Sequence, residues 1–342
     1  MNCTIVVRSL NEADRLRLML TSLTRQSVPC EVVLVDDGST DHSSVVIAEF
    51  RDRLKLREIR HAYPHGRSAA SNAGAAAASG DIVLFMDGDT LLAPDGVEHH
   101  LEAHRRAADR MVRGSHFHLR CTRFLQDPAN ASPQPGQEAR IAQLSPAQKD
   151  RLKVTTAQIL DHFDQITDRA TPGIYPGIGP SRLFELEREA LEQHPDCSML
   201  WAASSGTNFS VRREAFLDVG GFDPLLDQNE HRELGLRMTL AGGRVAFAAK
   251  ANSYHLTHRS GWRDPLQLSD WEAIFYRRHP ILAVKLLSVF WAGIASPSPV
   301  PAAARIENFL DLERAAGGHT GIDYDAVRRL IPGLLDLSEA GC

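Results

Sequence analysis

Residues 80–96, GDIVLFMDGDTLLAPDG, contain a short apolar run that ends in two carboxylates. Residues 82–85 are continuously apolar, which is typical of a buried strand. Asp87 and Asp89 follow that strand with only Gly88 between them. Two carboxylates this close repel each other, and burying either one alone is costly. A cation held beside them would offset both effects, so the stretch predicts a strand that ends at a cation site.

The composition is that of an ordinary globular protein. The chain has 342 residues, of which 43% are hydrophobic and 24% charged, and a formal net charge of −5. This length can bury a large core. The acidic balance argues against a nucleic-acid partner, which would favour a basic surface. The five cysteines are scattered and odd in number, which indicates reduced thiols and a cytoplasmic location.

No targeting or membrane-spanning segment is expected from the sequence. The start, MNCTIVVRSLNEADRL, has no basic region leading into an apolar one, so no signal peptide is predicted. The most apolar stretch, residues 280–297, is too short to span a bilayer and contains Lys285. It is interpreted as a buried or amphipathic helix. Peripheral contact with the inner membrane face is the alternative.

Strands and helices alternate through residues 1–90. Strands are predicted at residues 3–7, 31–35, 54–59 and 81–86, each followed by a turn or a helical pattern. This order predicts an α/β fold with a mostly parallel sheet and right-handed crossovers. Ligands of such sheets bind outside the carboxyl ends of the strands. Asp36 and Asp37, as well as Asp87 and Asp89, fall at such ends.

The remaining chain is less regular. Residues 91–113 are predicted to be helical, and residues 114–200 are predicted to form a helical and loop insertion that shapes an acceptor pocket. A helix over 230–243 and a strand over 244–249 then complete a domain that spans residues 1–260. Residues 261–342 are expected to form a helical C-terminal extension.

Five stretches in this order resemble a family 2 glycosyltransferase with the GT-A fold. They are residues 5–26, 32–41, 66–90, 205–223 and 229–243. The ending YHLTH, residues 254–258, is similar to a galactosyltransferase-like subgroup. The resemblance covers about residues 1–113 and 200–262. It implies a Rossmann-like, mostly parallel sheet flanked by helices, together with the helical insertion and C-terminal region.

The resemblance implies a metal-dependent, inverting transfer from a nucleotide-sugar, with a UDP-sugar as the expected donor. Mn²⁺ or Mg²⁺ would neutralise the departing diphosphate, since oxygen ligands suit these ions. Asp89 is then the metal ligand, and Asp87 is its partner at the ribose or at a metal-bound water. His255 would complete the metal shell or contact the diphosphate, and His258 is a weaker candidate.

Donor-binding residues also follow from the resemblance. An aspartate of VDDGSTD contacts the base in the family, and the sequence leaves open whether it is Asp36 or Asp37. Arg67 falls near the base and phosphates. Gly206, Thr207 and Asn208 belong to a segment that lines the donor sugar and acceptor pocket. Trp201 and Trp262 are candidates either for stacking on sugar faces or for core packing.

The general base is expected at the start of the helix over 230–243. An inverting transfer needs a group that takes the acceptor hydroxyl's proton. The family pattern is Glu-Asp-X-Asp/Glu-Leu followed by Arg, whereas this chain has His231 where the aspartate is usual. Glu230 is therefore the first choice, and His231 is the second because imidazole titrates near neutral pH. Glu233 and Arg237, four residues apart, are predicted to form a structural ion pair.

Other function classes fit the sequence less well. A haloacid-dehalogenase-type phosphatase needs Thr or Val four residues after the first aspartate, where this chain has Leu91. A nucleotidyltransferase typically has a Gly-rich loop with a basic residue after the first strand, and VVRSLNEADRL lacks that loop. A catalytically silent sugar-binding or scaffold protein stays open because of His231. The acceptor is left open as a hydroxyl of a glycan, a lipid-linked sugar or a small molecule.

Overall fold

The computed structural model describes residues 1–106, 110–172, 182–258, 269–334 and 337. The strands in the described chain, numbered in chain order, are β1 Cys3–Ser9, β2 Glu31–Asp36, β3 Lys55–Arg60, β4 Ile82–Asp87, β5 Thr90–Leu92, β6 Arg110–His118, β7 Leu125–Asp127, β8 Ser132–Pro133, β9 Thr171–Pro172, β10 Phe209–Arg212 and β11 Arg244–His255. The four strands predicted within residues 1–90 correspond to β1 to β4, so the α/β class is confirmed.

The α-helices lie between and after these strands. They are α1 Ala13–Leu23, α2 Ser43–Glu49, α3 Arg67–Ala77, α4 Gly96–Arg106, α5 Glu138–Ala142, α6 Pro146–Leu152, α7 Thr156–Asp161, α8 Asp164–Thr167, α9 Leu183–Gln193, α10 Arg213–Asp218, α11 Glu230–Leu240, α12 Ser269–Arg278, α13 Leu282–Ile294, α14 Phe309–Ala316 and α15 Tyr324–Arg329. None of these in the described part of the chain combines the length and apolar character needed to cross a membrane.

One large sheet organises the molecule. Its strand order is β3-β2-β1-β4-β10-β6-β11-β5, and β9 pairs with β6 at the side. The strands β3, β2, β1 and β4 are parallel, as predicted. Beyond them β10 runs antiparallel to both β4 and β6, whereas β11 is parallel to β6. The carboxyl ends of β1, β2 and β4 therefore meet at one edge, next to the antiparallel β5–β11 pair.

Alternating side chains of the parallel strands fill two cores, one on each face of the sheet. Ile5 and Val7 pack with α1 and α2, whereas Val6 packs on the opposite face. This alternation follows from the two-residue period of a strand. The second core also contains Trp271 and Phe290 of the C-terminal helices. The C-terminal helices thus share their core with the sheet, and the division at residue 260 stays a prediction.

The structure corrects the prediction that residues 91–113 are helical. Among the residues of this range that the structure describes, the helix covers Gly96–Arg106, with β5 before it and β6 beginning at Arg110. Met111 and Val112 are fully buried, and they contribute to different core clusters. A short apolar run does not distinguish a strand from a buried helix, so the choice depended on the pairing of β6 with β10 and β11.

The predicted insertion also begins later than expected, because residues 114–118 belong to β6 in the main sheet. After β6 the chain forms a 3₁₀ turn at Arg120–Thr122, the β7–β8 hairpin and α5 to α8. The sequence of residues 145–166 predicts one long helix, but the structure divides this stretch into α6, α7 and α8. Capping boxes at Ser145 and Thr155 start α6 and α7 as separate helices.

Candidate active site

A cavity of about 680 Å³ opens at the carboxyl ends of β1, β2 and β4. Its position is the one expected for ligands of a parallel sheet. The predicted site residues that line it are Asp37, Arg67, Asp87, Asp89, Thr207, His255 and His258. Side chains that stand far apart in the sequence therefore share one cavity.

Asp89, His255 and His258 form a compact cluster in this cavity. Both imidazole Nε2 atoms approach Asp89 Oδ2, His255 at 3.1 Å and His258 at 2.9 Å. One potential ligand atom from each residue lies within 4.8 Å of the others. Two imidazole nitrogens and one carboxylate oxygen suit Mn²⁺ and other divalent transition metals. These residues therefore fit a divalent cation. His258, which the sequence analysis gave as a weaker candidate than His255, is part of this cluster.

Backbone pairing produces this cluster. In the β5–β11 pair, His255 stands opposite Thr90, and Leu256 N–H donates to the Asp89 carbonyl at 2.9 Å. The segment after β6 then fixes the end of β11. Thr122 Oγ1 donates to the Thr257 carbonyl at 2.8 Å, and Gln134 Nε2 donates to the His258 carbonyl at 2.6 Å. The region predicted as an insertion thus holds the backbone that presents His258.

The electrostatics favour an ionised carboxylate at the cluster. Burial opposes ionisation, yet His255 and His258 hold the pKa of Asp89 well below its usual range. Burial lowers the pKa of His258, so its ring favours the neutral form that can bind a metal. Glu12 lines the same cavity, and burial together with Asp89 and Asp87 raises its pKa. Sequence reasoning missed Glu12, which was treated as part of a helix.

Asp87 has a different partner. Arg8 Nε donates to Asp87 Oδ1 at 2.6 Å, so the first carboxylate is neutralised by a guanidinium and lies outside the three-residue cluster. The role of Asp87 at the metal site, as a partner of Asp89, stays a prediction. Arg8 was also missed by the sequence analysis. The available signal was its position as a charged residue near the end of β1, which pairs with β4 so that Arg8 stands opposite Asp87.

Arg8 links Asp87 to the start of α11. Its Nη1 atom donates to Glu230 Oε1 at 3.2 Å, and its Nη2 atom donates to the Gly206 carbonyl at 3.2 Å. Glu230 is buried, and His231 Nδ1 lies 3.6 Å from its Oε2 atom. Burial alone would raise the pKa of Glu230, but His231 and the charge of Arg8 hold it well below its usual range. The two candidate bases thus lie side by side behind the cavity.

The two aspartates of VDDGSTD have different surroundings. Asp36 is fully buried and accepts a hydrogen bond from Ser39 N–H at 2.9 Å. Asp37 lines the cavity and anchors the segment before α3. It accepts bonds from His65 N–H and Gly66 N–H, each at 2.9 Å. Of the two, Asp37 is the one within reach of a ligand.

The neighbouring residues Thr207 and Asn208 also differ in whether they reach the cavity. Thr207 lines the cavity, and its Oγ1 atom accepts from Asp87 N–H at 3.0 Å. Asn208 is fully buried with a φ of 53°, and its amide donates to the Ser115 and Ala251 carbonyls. Asn208 therefore supports the site from behind and does not line it.

The buried end of Asn208 meets a histidine pair that sequence reasoning missed. His100 Nε2 lies 3.0 Å from Asn208 Oδ1, and both His100 and His104 contact Ser210 Oγ. Burial lowers the pKa of His100 to about 4 and that of His104 to about 3. Their spacing of four residues on α4 was the only sequence signal.

Of the other residues singled out from the sequence, Arg67 lies at the cavity and Trp201 lies in the core. Arg67 lines the cavity, and its N–H donates to Asp227 Oδ1 at 2.9 Å. Trp201 is buried against Phe275, so it belongs to the core and not to a sugar-binding surface. Trp262 lies outside the described residues. Glu233 and Arg237 form the predicted ion pair at 2.6 Å.

The chain is similar in sequence to known glycosyltransferases. Residues 4–145 match the family described as Glycosyl transferase family 2. The chain is 26% identical over 275 residues to the uncharacterized glycosyltransferase YfnE of Bacillus subtilis, covering 76% of this chain and 66% of that protein. It is 27% identical over 303 residues to validoxylamine A glucosyltransferase of Streptomyces hygroscopicus subsp. jinggangensis, covering 84% and 63%. The chain thus spans just under two thirds of the length of these curated relatives.

Solved structures share the fold. TarS residues 1–349 from S. aureus, in complex with UDP-GlcNAc, superposes with a TM-score of 0.55 at 16% identity, covering 100% of this chain and 82% of that one. The mannosyltransferase PcManGT from Pyrobaculum calidifontis, in complex with GDP-Man and Mn²⁺, has a TM-score of 0.52 at 15% identity, covering 99% and 73%. At these identities the similarity establishes the fold alone.

Proposed function

Because residues 4–145 match the family 2 glycosyltransferases and the chain shares its fold with solved glycosyltransferases, we propose that it transfers a sugar from a nucleotide-sugar to an acceptor hydroxyl with inversion. The observation that carries this proposal is the meeting of Asp37, Asp87, Asp89, His255 and His258 in one cavity. Similar structures are complexes with UDP-GlcNAc and with GDP-Man plus Mn²⁺, which supports a nucleotide-sugar as the donor. A UDP-sugar is the donor we propose.

Asp89, His255 and His258 would hold the divalent cation. Their mixed nitrogen and oxygen donor set favours Mn²⁺ over Mg²⁺, because Mg²⁺ is bound chiefly through oxygen. When bound, the cation neutralises charge that develops on the diphosphate leaving group. Asp37 and Arg67, which line the same cavity, would contact the nucleoside and phosphates.

The other residues orient the reacting groups. Arg8 spans Asp87 and Glu230, and its bond to the Gly206 carbonyl ties the donor side of the cavity to the base side. Glu230 would accept the acceptor's proton as the hydroxyl oxygen attacks the anomeric carbon. Holding both substrates against these residues lowers the entropic part of the barrier. The acceptor is proposed as a hydroxyl of a glycan, a lipid-linked sugar or a small molecule.

The decisive experiment measures binding of UDP, GDP, dTDP and CDP by calorimetry, with and without Mn²⁺. We expect one nucleotide, UDP, to bind tightly only with Mn²⁺. Asp89→Ala should abolish that metal dependence, whereas Asp95→Asn, which changes an exposed carboxylate just after β5, should retain it. If no nucleotide binds in the presence of metal, the proposal of a nucleotide-sugar transferase is wrong.

A further inference from the structure

The two ring nitrogens of His231 face groups of opposite charge. Nε2 lies 2.9 Å from Arg232 Nη1, and Nδ1 lies 3.6 Å from Glu230 Oε2. A guanidinium has only hydrogen-bond donors. The His231 Nε2 atom must therefore accept this hydrogen bond through its lone pair, and the ring proton must lie on Nδ1. The observed contact thus determines both the tautomer and the neutral charge of His231.

Arg232 is held in place by contacts on all of its nitrogens. Nε donates to the Ala202 carbonyl at 2.8 Å, Nη1 to Asn229 Oδ1 at 2.7 Å and Nη2 to Glu187 Oε1 at 3.1 Å. The guanidinium also lies over the Trp291 ring, 5.1 Å from its centroid. Moving Arg232 away from His231 would break several of these contacts together, so the contact with Nε2 is a stable feature of the fold.

This contact prevents His231 from taking up a proton. A protonated imidazole has a donor on each nitrogen, so its Nε2–H would point at the N–H groups of Arg232. Nδ1 already carries the ring proton and has no hydrogen-bond partner among the described residues. The charged groups around the ring are Glu230 and Arg232 on α11 and Arg8 on β1. Two of the three are cations, which further opposes a positive charge on His231.

We propose that His231 is a positioning residue and that Glu230 alone is the general base; this inference rests on the proposed function. Arg8 binds Glu230 Oε1, so Oε2 is the oxygen that faces His231 Nδ1–H. The separation of 3.6 Å is longer than a hydrogen bond, and a small shift of either side chain closes it. In the transfer, the acceptor O–H bond breaks and its proton goes to Glu230 Oε2. The oxygen bonds the anomeric carbon, and the nucleoside diphosphate leaves with the electron pair of the broken C–O bond.

Gly206 adds a steric reason for this arrangement. A Cβ at Gly206 would lie 3.1 Å from His231 Nδ1 and 3.7 Å from Glu230 Oε1. The backbone at Gly206, just before the cavity-lining Thr207, thus passes close to the His231–Glu230 pair. Glycine at 206 leaves the space in which Nδ1–H and the carboxylate approach each other.

The tautomer is tested without any substrate, by long-range ¹H–¹⁵N NMR on ¹⁵N-histidine-labelled protein. The His231 resonances are assigned by their loss in His231→Asn. We expect a neutral Nδ1–H tautomer that persists from about pH 5.5 to 8, since the unperturbed histidine pKa is about 6.5. An Nε2–H tautomer, or protonation near pH 6.5, overturns the inference. Because no donor is present, this result is independent of whether the protein transfers sugar.

Kinetics then separate positioning from proton transfer, with release of UDP from UDP-glucose and Mn²⁺ as the assay. Asn places an amide N–H near the Nδ1 position, whereas Gln places it near Nε2, against Arg232. We expect His231→Asn to retain activity within about tenfold of wild type and to keep its acid pH limb. His231→Gln should lose more, and Glu230→Gln should lose about 10²–10⁴-fold. A His231→Asn protein that loses as much activity as Glu230→Gln, and whose residual turnover has lost the acid limb, would show that His231 is the base.

Discussion

The Nε2 atom of His258 lies 2.9 Å from the Oδ2 atom of Asp89, although 169 residues separate the two along the chain. The contact exists because β11 pairs with β5, which directly follows Asp89. His255, three residues before His258, approaches the same oxygen at 3.1 Å. One carboxylate oxygen approached by two imidazoles fits the divalent-cation site proposed above.

Replacing His258 should weaken metal binding as much as replacing His255. Each imidazole contributes one nitrogen near the same Asp89 oxygen, so removing either leaves two protein ligands. We expect His258→Ala and His255→Ala each to weaken Mn²⁺ affinity in calorimetric titrations by more than the factor of about 10–100 that is typical of losing an outer-shell partner. His99→Ala, on the outer part of α4 and outside the cluster, is the matched control and should bind normally. Wild-type affinity in His258→Ala would remove His258 from the ligand set.

Two glutamates on α11 should respond differently to the same substitution. Glu230 contacts Arg8, whereas Glu233 contacts Arg237 and His279. Glu230→Gln should lower kcat about 10²–10⁴-fold with a small loss of unfolding free energy, because Arg8 keeps its ion pair with Asp87. Glu233→Gln should cost about 3 kcal/mol of stability, because it removes the charge that pairs with the Arg237 guanidinium.

Urea unfolding and UDP-glucose turnover, both measured on the two variants, check this contrast. If Glu230→Gln unfolds at lower urea concentration than wild type but keeps normal turnover of UDP-glucose, then Glu230 has a structural and not a catalytic role. If Glu233→Gln is as stable as wild type but has no turnover, then Glu233 has a catalytic and not a structural role.

Gly38 should tolerate alanine less well than Gly220. Both have a left-handed backbone, with φ of 86° and 84°. A Cβ at Gly38 would lie 2.7–2.9 Å from backbone atoms of Tyr63 and Pro64, whereas nothing lies within 4 Å of one at Gly220. Gly220→Ala should cost about 1 kcal/mol from strain alone. Gly38→Ala should cost more and should also weaken nucleotide binding, because Asp37 and its loop must shift.

Thermal unfolding and UDP calorimetry on both glycine variants provide the comparison. Equal losses of stability, with unchanged UDP affinity in Gly38→Ala, would mean that the contact between Gly38 and the Tyr63 backbone has no role in shaping the site.

The folded protein should lose stability as the pH falls from 6.5 toward 4. Burial lowers the pKa of His100 to about 4, whereas in the unfolded chain it stays near 6.5. Above pH 6.5 the ring is neutral in both states and contributes no pH dependence. Below it only the unfolded chain takes up the proton, so stability falls until the folded pKa is reached. The expected contribution of His100 is about 3 kcal/mol.

Urea unfolding between pH 7 and 4.5 measures this effect, with His100→Gln as the comparison. The variant should be less stable than wild type at pH 7 but should show a shallower decline on acidification. Parallel curves for the two proteins would show that His100 does not carry the pH dependence.

Much of the fold was predictable because its signals are local. The apolar runs at residues 31–35 and 81–86 each end in carboxylates, and the alternation of strands and helices predicts that these ends meet at one edge. The weak point was residues 110–118, where β6 was missed. Its apolar residues are few, and its strand character depends on β10 and β11, which are about 90 and 130 residues away. A short segment has no local signal for partners at that distance.

The sequence by itself therefore determined the α/β order, the strand-end acids Asp36, Asp37, Asp87 and Asp89, and the candidate pair Glu230 and His231. The tertiary structure decided how these groups are partnered. It brought His258 to Asp89, and it placed Arg8 between Asp87 and Glu230, 222 residues from the latter. It also set Arg232 against His231 Nε2. The physical reason is that a side chain's charge and proton acceptance depend on the groups within a few ångströms, and sheet pairing and helix packing bring those groups together from distant parts of the chain.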